Sequence, residues 1–534
     1  MIAQADGNSA EPPVLVVGAG PVGAVLALEL ARHGVRTVLA ERATNASTHP
    51  KMDYLNGRSM ELLRRLDLTD EMRRAGVAPE HPFNFLWSRH FDEEPIARWD
   101  FASVDDLTTR IAGSSDGTLP TEAHQRLQGS LLEEILRDRL RRQPLVDFRD
   151  GWTFEGMDAG DDGVTAWLTD GRSGRRHTVR AAYLVGCDGG ASAVRQAAGI
   201  GVSQLGPTTR HRDVFFRSTD PVLRRHGRAF LTVAAGGLTL VSRDEKDTWT
   251  GTVHLADDAV AVEDPVALMR RNLGADFRVD EVLNVVEWEG RLAVADRYRE
   301  GRVLLAGDAA HQFYPTGGHG ANTGIADAVD LGWKLAALVH GWGGPRLLPS
   351  YEAERRPVGL FNREMCGNLL EVWLRFPRLV AGGATREHIA EYLAHEQYQM
   401  DNLGIHLGYR YDTSPIVCHE DGPAPRWEWG RMTPTTWPGS RVPTARTADG
   451  RWVTDRLGTG LTLVDLSGAY AGESLVEQSR ERGIPMTHAV VDDDAVRALW
   501  ERDLVLVRPD QHVAWRGDGV PADWPGILDR VTGR

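Results

Sequence analysis

The sequence predicts an α/β fold made of more than one unit. At 534 residues the chain is longer than a typical single domain, so we expect about two to four domains. Three short apolar runs are each followed by a glycine-rich turn and a helix-like segment, which is the pattern of a strand, a turn and a helix in a parallel sheet. These runs are Val14–Val17, Tyr183–Gly186 and Val303–Ala306.

The first glycine-rich turn has the spacing of a dinucleotide-binding site of Rossmann type. Three glycines follow the first strand, and a second strand, Thr37–Ala40, ends at an acid. In such sites the glycines allow a tight turn and close approach of a pyrophosphate. An acid roughly 20 residues later accepts hydrogen bonds from ribose hydroxyls. The predicted cofactor residues of this segment are Gly18, Gly20, Gly23, Glu41 and Arg42.

The other two turns place acids at the ends of strands. Asp188 follows the second strand and Asp308 follows the third, and ligands of α/β sheets bind at the carboxyl ends of strands. After Pro315, the cluster Gly317–Gly320 opens a long amphipathic helix, whose first N–H groups favour an anionic or planar ligand. Taken alone, this stretch has a structural strand-to-helix turn as its alternative interpretation.

Residues 205–295 show the alternation of antiparallel strands. In the last of the strand-like runs, Trp249 lies on one face and His254 on the other. This pattern predicts an inserted antiparallel sheet that forms a second layer. His254 is a candidate for lining a cavity, with a solvated strand face as the alternative. The runs are Val214–Arg217, Ala229–Val233, Leu238–Arg243 and Trp249–Leu255.

The C-terminal part predicts helices and then a small α/β module. Helical patterns extend from about Pro349 to Gln399, and a proline-rich stretch from Pro415 to Pro443 predicts a linker. Beyond it the order β-α-β-α-β-β resembles thioredoxin, but the module contains no cysteine, which excludes disulfide chemistry. The predicted units are a cofactor-binding domain at 1–204 and 296–345, a substrate-binding sheet domain at 205–295, a helical segment at 346–414, a linker at 415–450 and a thioredoxin-like domain at 451–534.

The composition disfavours several classes of function. A formal net charge of −14 disfavours nucleic-acid binding, which requires a basic surface. The sequence contains neither an apolar run of about 18 residues nor a secretory signal, so we expect a cytoplasmic protein without a membrane span. Cys187, Cys366 and Cys418 are widely spaced, so neither a metal site nor a redox pair is predicted.

Three separated motifs, in this order, resemble those of the single-component (class A) FAD-dependent aromatic hydroxylases, which include phenol hydroxylase and chlorophenol monooxygenases. The first motif is the opening glycine turn with Glu41, and the second runs from Asp188 to Arg195. The third is Gly307–Asp308, with Pro315 seven residues after the acid. Because the resemblance continues through the C-terminal module, it covers nearly the whole chain.

The resemblance implies bound FAD and assigns residues to it. In the family, the second motif contacts FAD and takes part in NAD(P)H binding, and the acid of the third meets the ribityl and pyrophosphate region. Gln125 matches a glutamine on the flavin side chain, and Lys51 lies where relatives place an arginine. The implied cofactor residues are Gly18, Gly20, Gly23, Glu41, Arg42, Lys51, Gln125, Asp188, Gly307, Asp308, Gly318, Gly320, Ala321 and Asn322, and the implied substrate contacts are Trp249, His254, Pro315, Thr316 and Gly317.

The reaction implied by the resemblance is hydroxylation of an electron-rich aromatic ring of the phenol or hydroxypyridine type. In the family, NAD(P)H reduces FAD, O₂ forms a flavin C4a-hydroperoxide, and one oxygen atom passes to the ring. A base near the ring hydroxyl assists this attack. Asp53 occupies the place of the substrate-side aspartate of phenol hydroxylase, with a turn-forming loop residue as the alternative. We therefore expect a small aromatic substrate, O₂ as co-substrate, and a homo-oligomer.

The substrate is the least determined part of this interpretation. Phenol hydroxylase carries an Arg and a Tyr on the strand near the flavin, whereas the strand Trp249–His254 contains neither. The alternatives are a tailoring oxygenase or oxidase of a larger polycyclic or polyketide natural product, and a flavoprotein that binds an aromatic ligand without turnover. A flavin halogenase is disfavoured because Trp427-Glu-Trp429 is followed by Gly-Arg-Met rather than by the signature of those enzymes.

Overall fold

A computed structural model describes residues 12–49, 51–255, 263–400 and 403–534 of the chain. Its first part alternates short strands and helices, as the glycine turns predicted. The elements up to residue 200 are β1 (Val14–Val17), α1 (Pro21–Arg32), β2 (Thr37–Glu41), β3 (Tyr54–Leu55), α2 (Gly57–Arg64), α3 (Thr69–Ala75), β4 (Phe85–Ser88), β5 (Ala97–Trp99), α4 (Val104–Gly113), β6 (Gln125–Arg126), α5 (Gly129–Arg141), β7 (Val146–Asp150), β8 (Trp152–Ala159), β9 (Val164–Asp170), β10 (Arg176–Ala181), β11 (Tyr183–Gly186) and α6 (Ala193–Ala197).

The rest of the chain adds long strands, long helices and a second small α/β unit. The middle elements are β12 (Val202–Arg217), β13 (Leu231–Ala234), β14 (Leu238–Ser242), β15 (Thr248–His254), α7 (Pro265–Leu273), β16 (Glu281–Ala295), β17 (Arg299–Glu300), β18 (Val303–Leu305), β19 (His311–Gln312), α8 (His319–Val339), α9 (Leu347–Ala381), α10 (Arg386–Glu396) and α11 (Leu403–Leu407). The last are β20 (Leu461–Asp465), α12 (Glu473–Glu481), β21 (Met486–Val490), α13 (Asp494–Trp500), β22 (Leu504–Val507), β23 (Val513–Gly517) and α14 (Trp524–Val531).

A six-stranded sheet in the order β17-β18-β11-β1-β2-β7 forms the first layer. Its strands run parallel except for β17 at the edge. All residues of β1 and β11 are buried, and α1 packs against α8 on this layer. Burial on both faces explains why these strands are continuous apolar runs. The predicted Rossmann-type architecture is confirmed, and the carboxyl ends of β1, β2, β11 and β18 meet at one edge.

An eight-stranded sheet in the order β19-β16-β12-β15-β14-β13-β4-β5 forms the second layer. The strand-like runs of residues 205–295 correspond to β12–β15, and β12 and β16 are longer than the alternation indicated. Two strands from residues 85–99 complete the sheet, with β4 pairing in parallel with β13. The sequence analysis did not assign residues 85–99 to this sheet, because pairing across more than a hundred residues leaves no local pattern.

Long helices follow the second sheet, as predicted. The helix α9 extends over 35 residues with Pro357 and Pro377 inside it, and packs against α8 and β16. Near its end, Leu369, Val372 and Phe376 belong to an apolar cluster with the aromatic residues of β4 and β5. None of the helices in the described ranges combines the length and apolar character needed to cross a bilayer.

The C-terminal module is a four-stranded sheet in the order β21-β20-β22-β23, flanked by helices. This topology matches the predicted thioredoxin-like unit. The stretch 415–450 forms no helix or named strand, but Ile416, Val417 and Val442 are fully buried. Arg441 makes an isolated bridge with His512 beside β23. The proline-rich stretch therefore packs along the module.

A buried ionic cluster joins the module to the first layer. The guanidinium of Arg508 donates to Glu354 at 2.6 and 2.8 Å, to Asp330 at 2.9 Å and to Asp510 at 2.6 Å. The ammonium of Lys334 donates to Asp330 at 2.8 Å and to Glu354 at 2.5 Å. Burial acts to raise the pKa of Glu354, but Arg508 and Lys334 outweigh it and lower that pKa to about 2. The cluster therefore connects α8, α9 and the segment after β22 through paired charges.

We expect Arg508→Met to destabilise the protein by about 3–5 kcal/mol, because it leaves buried carboxylates without their main cation. The free energy of unfolding in a denaturant titration, followed by fluorescence, measures the loss. Arg142→Met is the matched control, since Arg142 and Asp138 form an ion pair in which both side chains are more than half exposed. Equal, small effects of the two substitutions would contradict a structural role for the cluster.

Candidate active site

The first glycine turn forms an open cradle at the end of β1. Gly18 has φ +100° and donates its N–H to Ala40, and a Cβ on Gly23 would lie 1.9 Å from the Gly18 carbonyl. These two glycines therefore allow the tight turn and its packing. A Cβ on Gly20, by contrast, would meet nothing within 4 Å. The space above Gly20 is open to a ligand, as the motif requires.

The acid after β2 lies beside this cradle. The Glu41 carboxylate accepts hydrogen bonds from the backbone N–H groups of Ala19 and Ala43, both at 2.8 Å. These contacts hold the acceptor at the mouth of the turn, where a ribose hydroxyl is expected. The adjacent Arg42 is exposed and has no hydrogen bond or ion pair within the described ranges. Glu41 thus lies at the end of β2 beside the first glycine turn, and its role toward a ribose stays a prediction.

The second motif is tied to the third by Arg195. Asp188 accepts hydrogen bonds from the Ser192 hydroxyl at 2.5 Å and from the Val194 N–H at 3.1 Å. The Arg195 guanidinium donates to the carbonyl of Gly190 and to that of Ala309, both at 2.9 Å. The two strand ends are therefore locked together. A Cβ on Gly18 would lie 2.8 Å from the N atom of Asp188, so the first motif adjoins them.

The third motif places a carboxylate in a crevice. Asp308 is accessible to solvent, yet the surrounding protein is dense enough for burial to raise its pKa, with His311 and Lys51 acting in the opposite direction. A side chain that is both accessible and enclosed lies in a deep cleft. Lys51 is exposed and near enough to act on this carboxylate. The pair presents a cation and an acceptor, which suits a pyrophosphate and its sugar hydroxyls.

The glycine turn before α8 is held in place by polar contacts. Gly317 and Gly318 have φ values of +78° and +65°, in the left-handed region that glycine adopts without strain. Asn322 accepts a hydrogen bond from the Asn56 N–H and donates to the Tyr54 carbonyl, both at 3.0 Å. The Asn322 side chain therefore joins α8 to the segment after Asp53 and is engaged within the protein.

Other predicted residues of this turn differ in exposure. A Cβ on Gly320 would meet nothing within 4 Å, so the space beside it is open. Ala321 is half-buried next to it, and Pro315 is exposed. The Thr316 hydroxyl donates to the Cys366 carbonyl at 3.2 Å. The turn thus presents its backbone at Gly320 and Ala321 to the open space, while Thr316 anchors it to α9.

Gln125 is placed differently from the prediction. Its amide donates to the carbonyls of Val77 and Arg126 at 3.0 and 2.9 Å, and its oxygen accepts from Arg73 at 2.9 Å. Because the side chain is buried and its bonds are made within the protein, it offers little to a ligand. Gln128, three residues later, is the half-buried N-cap residue of α5 and is better placed for that role.

Asp53 forms a buried ion pair with Arg243, at the end of β14. The Arg243 guanidinium also donates through Nε to the Thr250 hydroxyl at 2.8 Å. The Oδ1 atom of Asp53 is buried and has no hydrogen-bond partner in the described part of the chain. The strand Trp249–His254 contains no arginine, but Arg243 follows the neighbouring strand β14 and so lies beside it.

Two substrate contacts were predicted on β15, of which Trp249 is corrected and His254 stays a prediction. Trp249 packs in a cluster with residues of β12 and α7, including Phe216 and Leu268, on the side away from Asp53. Because side chains alternate along a strand, Thr250, which contacts Arg243, faces the opposite side. Trp249 is therefore a core residue and not a substrate contact. His254 is exposed on the same side as Thr250, at the far end of the strand.

One face of β12, which carries His211, Asp213 and Phe215, was not among the site residues predicted from the sequence. His49 Nε2 lies 2.9 Å from Asp213 Oδ2, and the His49 ring packs edge-on against Phe215. The His211 ring stacks on Trp288 at 4.4 Å, and burial together with His254 lowers the pKa of His211 to about 4. His211, Asp213 and Phe215 alternate along β12, so the sequence predicts that their side chains share one face of the strand. The sequence does not indicate which layer that face meets.

His319, at the start of α8, is a buried neutral imidazole. Burial lowers the pKa of His319 to about 4, and its ring lies 5.5 Å from that of His406 in an edge-on arrangement. At neutral pH the helix start is thus free of a competing positive side chain, and the partial charge of its N–H groups is left to a ligand.

Comparison with known proteins agrees with this geometry. Residues 11–361 match the family model for an FAD binding domain, and residues 435–534 match that for the C-terminal part of an aromatic-ring hydroxylase. The chain is 34% identical to the FAD-dependent monooxygenase apdD of Emericella nidulans, over 95% of this chain and 88% of that protein. It is 31% identical to a 4-methyl-5-nitrocatechol 5-monooxygenase of a Burkholderia species, over 96% and 95% of the two chains.

A solved structure resembles the chain over its whole length. The aklavinone-11 hydroxylase in complex with FAD and aklavinone is 30% identical, with a TM-score of 0.81 over 99% of this chain and 100% of that one. The open space at Gly20 and Gly320, the Glu41 acceptor and the cleft at Asp308 fit the bound FAD that these likenesses imply. The chain therefore belongs to the FAD-dependent aromatic-ring hydroxylases and is an aromatic monooxygenase.

Proposed function

We propose that this enzyme uses NAD(P)H and O₂ to hydroxylate a hydroxyl-bearing ring of a polycyclic natural product. The observation that carries the proposal is the Asp53 carboxylate, which Arg243 holds beside the face of the second sheet. The Asp53 side chain is 13% exposed and its Oδ1 has no hydrogen-bond partner among the described residues, so the carboxylate has acceptor capacity left for a ring hydroxyl. The likeness to a hydroxylase that binds aklavinone supports the size of the substrate.

The residues proposed to hold FAD line the carboxyl edge of the first sheet. The glycine turn and Glu41 would take the adenosine end, Lys51 and Asp308 the middle, and the backbone of Gly318–Asn322 the ring end. When bound and reduced, FAD supplies the activated oxygen for the ring. The first N–H groups of α8 favour the negative charge of a reduced flavin at that end.

Asp53 is proposed to accept the proton of the ring hydroxyl. As oxygen adds, the ring becomes electron-poor and its hydroxyl more acidic, so a carboxylate suffices as the acceptor. Arg243 holds this carboxylate, and Thr250 orients Arg243 through its hydroxyl. The apolar residues around Tyr54 and Phe83, whose rings stack at 5.0 Å, exclude water from that side.

The face of β15 that carries Thr250 and His254 is long enough to contact a substrate of more than one ring. From Thr250 to His254 the strand extends about 13 Å on one face of the sheet, and His254 is exposed at its end. A single phenol ring would leave much of this strand face without a contact. A single-ring phenol is nevertheless the second candidate substrate, because the likeness to the nitrocatechol monooxygenase favours it.

The substrate class is tested by turnover with matched compounds. We expect the purified protein to incorporate isotopically labelled O₂ into 1-hydroxyanthraquinone or 2-naphthol, with NAD(P)H oxidation, at higher kcat/KM than into phenol or 4-nitrocatechol. Mass spectrometry of the products measures the incorporation. A preference for the single rings would support the second candidate, and the absence of labelled product from every compound would contradict the proposal.

We expect Asp53→Asn to lower kcat by about 10²–10⁴-fold, since the amide cannot accept the proton. The FAD content of the variant, measured by its visible absorbance, should stay unchanged. Asp276→Asn is the control, because the Asp276 side chain is 92% exposed. Near-normal turnover of Asp53→Asn at saturating substrate would remove Asp53 from the mechanism.

We expect Gly20→Leu to yield folded protein without FAD. The backbone of Gly20, with φ −63° and ψ 178°, is compatible with any residue, so the side chain would fill the open space without straining the turn. Gly113→Leu is the matched control, because Gly113 is exposed and a Cβ there also meets nothing within 4 Å. Circular dichroism reports the fold, and full retention of FAD by Gly20→Leu would argue against a pyrophosphate at this turn.

A further inference from the structure

Asp53 and Arg243 form an ion pair in which the carboxylate neutralises the guanidinium. Both side chains are largely enclosed, with exposed fractions of 13% for Asp53 and 7% for Arg243. Besides Asp53, the Arg243 guanidinium donates to the neutral Thr250 hydroxyl. Asp53 is thus the anion that compensates Arg243, and an enclosed guanidinium without such a partner is strongly unfavourable.

The neighbouring cations form their direct ion pairs with a second acid, Glu245. The Arg126 guanidinium donates to Glu245 at 2.7 Å and to the Ser242 carbonyl at 2.7 Å. Arg224 donates to the other oxygen of Glu245, also at 2.7 Å. Glu245 is only 2% exposed and is engaged on both oxygens. Glu245 therefore pairs directly with Arg126 and Arg224, and Asp53 pairs directly with Arg243 while also acting on Arg126 at longer range.

A ligand that enters beside this pair meets an acceptor. One oxygen of Asp53 is taken by Arg243, and the other is buried and unpartnered. The Asp53 side chain keeps 13% of its surface exposed, so a hydroxyl or N–H group of a ligand that reaches it can donate to the carboxylate. A carboxylate would instead meet the negative charge of Asp53, while the cation behind it is already occupied.

We propose that the Asp53–Arg243 pair selects neutral hydroxyarenes over carboxylated ones, with Asp53 masking a guanidinium that otherwise binds a carboxylate. This inference rests on the proposed function, because it names the substrate class of the same site. Specificity here comes from a charge that repels the wrong ligand as well as from an acceptor that binds the right one. Arg243 is a specificity-determining residue whose preference is set by its partner.

The test compares two ligands that differ by one carboxylate, 2-naphthol and 3-hydroxy-2-naphthoate. Each is titrated into the oxidised FAD-loaded enzyme, and the change in the flavin spectrum gives its Kd. We expect the unmodified enzyme to bind 2-naphthol at least about tenfold more tightly than the hydroxynaphthoate. In Asp53→Ala we expect binding of the hydroxynaphthoate to improve at least about tenfold, because Arg243 is then unmasked.

The double variant Asp53→Ala/Arg243→Met identifies the group responsible, since it should lose that gain. Asp465→Ala is the matched control, because it removes an enclosed carboxylate of the C-terminal module, one paired with His488 and not with Arg243, and should show no gain. If Asp53→Ala does not hold FAD, Asp53→Asn removes the same charge with an amide of similar shape and should show part of the gain.

The inference is overturned if the unmodified enzyme binds the two ligands equally or binds neither. It is overturned equally if the gain of the single variant persists in the double variant. The titration uses neither NAD(P)H nor O₂ and requires no turnover. A failure of hydroxylation and a failure of this ligand preference are therefore separate results.

Discussion

The buried carboxylate of Asp327 is the contact on which the arrangement of the cofactor site depends. It accepts hydrogen bonds from the Gly307 N–H at 3.2 Å, from His311 at 2.8 Å and from the Arg355 guanidinium at 2.7 Å. Burial acts to raise the pKa of Asp327, but Arg355 and His311 outweigh it and lower that pKa. One ionised side chain in the middle of α8 thereby fixes the third glycine turn against both α8 and α9.

The helix α8 also makes polar contacts near its start and toward its end, with different parts of the chain. At its start, Asn322 hydrogen-bonds to Tyr54 and Asn56, which positions the segment that contains Asp53. Toward its end, Asp330 and Lys334 enter the ionic cluster with Arg508 of the C-terminal module. The module thus supports α8, and with it the start of that helix near the active site, through paired charges.

The site combines two electrostatic environments. At the carboxyl edge of the first sheet, glycine turns, the N–H groups of a helix start and Lys51 favour the phosphates and reduced ring of a flavin. On the face of the second sheet, acids are paired with enclosed bases, Asp53 with Arg243 and Asp213 with His49. This arrangement puts the edge for the anionic cofactor beside the paired acids that we propose to bind a hydroxyl-bearing ligand.

The sequence by itself determined the features that depend on local spacing. Strand, glycine turn and helix recur within about 20 residues, so the first sheet and the C-terminal module could be predicted, and Glu41, Asp188 and Asp308 lie at the strand ends where the spacing puts them. Only the tertiary structure decided which face of each second-sheet strand meets the cofactor layer. That choice made Trp249 a core residue, brought Arg243 to Asp53 across 190 positions, added the strands of residues 85–99 and engaged Gln125 with Arg73. The physical reason is that alternation along a strand defines two faces equally well, and packing between distant segments selects one.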